Sequence, residues 1–81
     1  MGIWDERKLA KSLRITLKEL MYLQKEVQQL SDRLCAVEGD GERADVQRER
    51  GESWGEVGES ITTALEELDS TLEAVETLLV Q

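Results

Sequence analysis

Apolar residues recur three and four positions apart along two stretches of this chain, and almost vanish between them. In the first stretch Leu13, Leu20, Val27 and Leu34 stand seven apart, as do Leu9, Thr16, Leu23, Leu30 and Val37. Interleaved rows of this kind are the a and d positions of a heptad, which gather one stripe along an α-helix. In the second stretch Trp54, Ile61, Leu65, Leu68, Leu72, Val75 and Leu79 repeat the spacing. The pattern predicts an all-α fold: an antiparallel two-helix coiled-coil hairpin forming a single domain.

Boundaries follow from local chemistry. Asp5 and Glu6 suit a helix start, where acidic groups meet the positive end of the dipole. Gly39 and Gly41 supply a stop. The first helix is expected over about residues 4–38, roughly 50 Å at 1.5 Å per residue. Residues 39–52 mix glycine with charges of both signs and predict a flexible, solvated connection. Ser53 and Glu56 then fit a capping box, and the second helix is expected over about 53–80. One antiparallel register layers Leu13 on Val75, Leu20 on Leu68, Val27 on Ile61 and Leu34 on Trp54. Leu23 then meets Leu65 and Thr16 meets Leu72. Thr16 is the one polar residue on that seam of helix 1, tolerated because its hydroxyl can bond a preceding carbonyl.

The flanks change the picture. Two-stranded coiled coils carry charge beside the seam, whereas bundles need a wider stripe. Here Val57, Ala64, Thr71 and Leu78 flank one seam, and Ala10 and Leu17 flank the other. Both stripes are too wide for one partner helix. Pairing of two hairpins into a homodimeric four-helix bundle is therefore the expected assembly, with a further protein partner bound on its outside.

Composition narrows the function classes. Eighty-one residues bury little surface, so association helps such a chain to be stable. One cysteine, Cys35, allows no internal disulfide and suits a reducing compartment, so a cytoplasmic location is expected. The chain has no histidine, which removes the imidazole base and the commonest metal ligand. A net charge of -8 opposes direct binding of nucleic acid or anionic lipid. No apolar run approaches the ~20 residues needed to span a bilayer. Met1-Gly2 lacks the Ser or Thr at position 6 that myristoylation favours, since Glu6 stands there. Cys35 has no nameable base, and no phosphate loop or convergent set of catalytic groups exists. Neither enzyme activity nor a cofactor or metal is expected.

Four features remain as candidate binding surfaces. Beyond Arg50 every charged side chain is acidic, and Glu52, Glu59, Glu66 and Glu73 form one row. Such a row keeps a helix solvated. It would also suit a basic protein, or imitate nucleic-acid charge. A cation held by Glu66, Asp69 and Glu73 would need more oxygens than one helix supplies. Lys11, Lys18 and Lys25 form a basic row that solvates helix 1 or meets an acidic neighbour. Ile15, Met21 and Tyr22, beside Arg14 and Lys18, form a small apolar patch that is either a partner site or an edge of the bundle core. Trp54 suits a structural role near the connection, while Trp4 and Ile3 would cover a bundle end or anchor a partner.

The turn signature of the secreted W-x-G hairpins is missing, because Trp54-Gly55-Glu56 puts glutamate where glycine is needed. In size and acidity the hairpin is similar to the small acidic chaperones of type III secretion, which implies holding a protein partner. The expected function is thus a non-enzymatic protein-interaction module, self-associating and adaptor- or chaperone-like. The alternatives are an acidic inhibitor of a nucleic-acid-binding protein or a structural subunit of a hetero-oligomeric helical assembly.

Overall fold

The computed structural model describes residues 5–81; Ile3 and Trp4, assigned above to a bundle end or a partner, lie outside them. The described chain is a helical hairpin of two packed helices, α1 (Glu6–Cys35) and α2 (Glu42–Leu79). It is a rod measuring 60 × 22 × 16 Å.

α1 starts as the sequence leads one to expect. Asp5 is its N-cap, and its carboxylate accepts from the Lys8 amide at 2.8 Å. α1 ends earlier than expected, at Cys35 rather than near residue 38. Gly39 takes a φ of 120°, a region that disfavours side chains. Gly41, expected to serve as a second stop, is instead the extended N-cap residue of α2.

The expected connection over 39–52 needs correction. The chain is helical from Glu42 onward, so Ser53 and Glu56 lie inside α2 and form no cap. Two features fold this charged segment. The Arg48 guanidinium donates to the carbonyls of Val37 (2.7 Å) and Gly39 (3.2 Å) and also bonds Asp45. It ties the first turns of α2 to the exit of α1. The second feature is Gly51, which is buried against α1. A Cβ there would stand 2.8 Å from the backbone nitrogen and Sγ of Cys35 and 2.9 Å from Leu34 Cβ. Glycine costs helix propensity, but here it permits a backbone approach that repays the loss.

The seam is turned by one position from the expected one. On α1 its centre is the row Ala10, Leu17, Gln24, Ser31, of which Ala10, Leu17 and Ser31 are buried. Leu13, Leu20, Val27 and Leu34 are half-buried beside it, whereas Leu9, Thr16 and Leu23 are exposed. On α2 the centre is Ala44, Gly51, Gly58, Leu65, Leu72, Leu79, with Gly51, Gly58 and Leu72 buried. Thus Ala10 and Leu17, expected on the flank, lie at the centre. Leu17 and Leu72 retain 3% and 4% of their exposure and, with Ala10, form the core; Leu13, Leu65 and Leu79 pack against it. Toward the connection this row carries glycine, and the core gives way to close backbone approach. Ser31 is buried there and its hydroxyl donates to the Gly51 carbonyl at 2.7 Å.

Candidate functional site: an uncharged face two helices wide

One arginine, paired with two acids, defines the two sides of the hairpin. Arg14, on the flank of the α1 seam, bonds both Asp69 and Glu76 on α2. Its Nε also donates to Glu76 Oε2 at 3.3 Å, giving Glu76 a two-point contact. Glu76 first, then Asp69, raises the affinity of Arg14 for its proton above the ordinary arginine value. Since α-helical positions advance by about 100° per residue, every row has a definite place relative to this arginine.

On the Arg14 side the surface is polar. Lys18 and Lys25 of α1 stand across a groove of about 450 Å³ from Glu66 and Asp69 of α2, above Leu17, Met21 and Leu65. Lys18 and Lys25 of the basic row therefore flank the groove between the helices. Two partner candidates, Lys18 and Met21, meet here with Glu66; Ile15 lines a neighbouring hollow with Lys11 and Glu76. Tyr22 lies on the back of α1, 64% exposed, and is not gathered with α2. Glu59 and Glu73 are exposed in the same acidic row as Glu66. Asp69, considered above for a cation with Glu66 and Glu73, is bound by Arg14 instead.

On the other side the character reverses. Two rows of α1 (Leu13, Leu20, Val27, Leu34 and Leu9, Thr16, Leu23, Leu30) lie beside two rows of α2 (Trp54, Ile61, Leu68, Val75 and Val57, Ala64, Thr71, Leu78). No charged residue stands among them. Seven of the large apolar side chains left exposed lie here: Leu9, Leu23, Trp54, Val57, Leu68, Val75 and Leu78. Leu23 is 52% and Leu78 68% exposed, values belonging to surface rather than core. A continuous apolar patch of this extent is what marks association surfaces on soluble proteins.

The heptad pattern predicts these leucines on a seam, and the structure keeps them as a stripe that lies partly between the chain's own helices and partly outside them. Of the residues expected at the seam, Leu65, Leu72 and Leu79 meet inside the hairpin, joined there by Leu17 from the expected flank. Leu13, Leu20, Val27, Leu30, Leu34 and Ile61 are shared between seam and face, while Leu9, Leu23, Trp54, Leu68 and Val75 face outward. Thr16 is exposed and donates to the Ser12 carbonyl at 3.0 Å, the bond expected of it. Sequence reasoning missed the glycine row and Ser31. Their signal was present: Ala44, Gly51 and Gly58 continue the seven-residue spacing of Leu65, Leu72 and Leu79 backward.

Among the described residues no helix is long and apolar enough to cross a membrane, and no cluster of three metal-ligating side chains occurs. No family model, curated protein or solved structure matches this chain.

Proposed function

We propose that this chain is a non-enzymatic protein-interaction module that works by docking helices on its uncharged face. The observation that carries the reading is the Leu23–Leu68 face, two helices wide and without a charge. Leaving such a surface in water forgoes about 25 cal/mol per Å² of apolar area that association would recover. A second copy supplies two more helices, so the module is a homodimeric four-helix bundle with the Arg14 side outward. Ile15, Lys18, Met21 and Tyr22 then remain accessible for a further protein partner. A reducing, cytoplasmic setting suits the free thiol of Cys35.

The experiment is native mass by size-exclusion chromatography with light scattering, at low micromolar chain in physiological salt. Twice the chain mass is expected, falling to one chain for Leu23→Glu and Leu68→Glu with helicity retained. A folded monomer for the unaltered protein would overturn the homodimer.

A second reading is an acidic inhibitor that imitates nucleic-acid charge with Glu59, Glu66 and Glu73. The proximity of Lys18 and Lys25 to Glu66 counts against it, because cations close to the acidic row weaken its field. Reversal of the three glutamates to lysine would abolish target binding under that reading. Under the adaptor reading, Ile15→Glu or Tyr22→Glu does the greater damage.

A further inference from the structure

Resting on the homodimer reading, we infer the arrangement of the two copies: α1 of each hairpin lies over α2 of the other, with the twofold axis along the helices and both 36–41 connections at one end.

Two properties of the face name a second copy as its occupant. The first is charge. A chain of net charge -8 repels its own kind unless the surfaces that meet are neutral, and this face is the uncharged one. The second is area. The face spans Leu9–Leu34 and Trp54–Leu78; about 25 residues of helix at 1.5 Å each, two helices wide at 8–10 Å spacing, give a footprint of roughly 700 Å². That is within the per-partner range of a stable complex.

The orientation follows from side-chain size. A face-to-face dimer has two symmetric forms. With the axis along the helices, α1 covers α2 of the other copy; with the axis across them, α1 covers α1 and α2 covers α2. Neighbouring helices are antiparallel in both, so helix dipoles do not choose between them. Packing does. The outer row of α1 carries leucine at three of its four positions (Leu9, Leu23 and Leu30, with Thr16), whereas the outer row of α2 carries it only at Leu78, beside Val57, Ala64 and Thr71. Like on like would crowd leucines on one edge and leave a void on the other, and both faults destabilise a packed interface.

The internal register sets which residues meet. Positions on the two helices that lie level sum to about 86, because Gly51 sits against Leu34 and Cys35, and Gly58 against Val27 and Gln28. An axis along the helices preserves level. Leu23 then enters beside Ala64 of the partner subunit, and Leu30 beside Val57 of the partner subunit. The outer edge brings Glu19 level with Glu67 of the partner subunit, a contact open to solvent screening.

Cysteine cross-linking tests the arrangement. In a Cys35→Ser background, Leu23→Cys and Ala64→Cys are made in separate chains, mixed, refolded together and oxidised. Leu30→Cys with Val57→Cys is a second pair, and circular dichroism verifies that each variant is helical. The two residues of a pair lie on outer rows of different helices, so the bond reads contact between copies. The expected result is that mixed Leu23→Cys/Ala64→Cys dimers exceed either self-cross-linked product at least tenfold, and likewise for the second pair. Self-cross-linking of Leu23→Cys chains without the mixed product would overturn this arrangement while leaving the dimer standing. A single-chain mass for the Cys35→Ser protein would overturn both.

Discussion

Two glycines show how one residue type acts in opposite directions according to what faces it. At Gly51 a methyl group would collide with backbone and Cβ atoms of α1 that cannot swing away. Gly51→Ala is therefore expected to destabilise by about 1–3 kcal/mol despite its better helix propensity. At Gly58 the nearest atom is the far end of Gln28, at 3.3 Å, and Val27 is in ordinary contact at 3.6 Å. There propensity wins, and Gly58→Ala is expected to stabilise by up to ~1 kcal/mol. Urea unfolding of the two variants side by side checks the opposite signs; equal signs would mean that the close approach at Gly51 is not what buries it. Ser31→Ala removes the hydroxyl that bonds Gly51 and is expected to cost about 1 kcal/mol in the same assay.

At the scale of the element, the first turns of α2 depend on α1. Asp45, Arg48 and the two carbonyls beyond α1 form a polar tie, and Gly51 completes it one turn later. Arg48→Ala leaves those carbonyls to water. Hydrogen exchange is expected to accelerate over 42–50 while 60–75 stays protected, because local opening is governed by the contacts each segment loses. Arg14 works differently. It is a surface group joining α1 to two acids of α2, so its contribution is sensitive to salt. Arg14→Gln is expected to lower the thermal midpoint more in dilute buffer than in 1 M salt, with the difference vanishing if the pairing does not hold in solution.

For the whole molecule, the hairpin divides its surface by chemistry, with charge on the Arg14 side and leucine on the other. Leu17→Ala opens a cavity in the small internal core and is expected to cost about 2–5 kcal/mol at every protein concentration. Leu23→Ala should cost little in a single hairpin, where half the side chain is already in water, and more where copies associate. The thermal midpoint of the unaltered protein is accordingly expected to rise with concentration, as mass action requires of a dimer. A concentration-independent midpoint from 1 to 100 μM would contradict association in that range.

The helices and their antiparallel return were legible in the sequence, because heptad spacing is a local property and needs no knowledge of the partner surface. So were the N-cap Asp5 and the excess width of the apolar stripes. The start of α2 was not, since residues 42–52 resemble a solvated linker until Arg48 and Gly51 meet α1. Nor was the choice of seam. α1 carries three adjacent rows able to face inward, and a one-position turn exchanges the leucine-rich row Leu9, Leu23, Leu30 for the row Ala10, Leu17, Gln24, Ser31. Tertiary structure chose the row that lets Ser31 sit against Gly51 and Gly55, and that brings Arg14 to Asp69 and Glu76. Heptad spacing alone yields two amphipathic helices with more apolar surface than one pairing can cover. Only the packing of one on the other decided which part of that surface stays outside, because a glycine or a flank arginine has no preferred side until a neighbour supplies one.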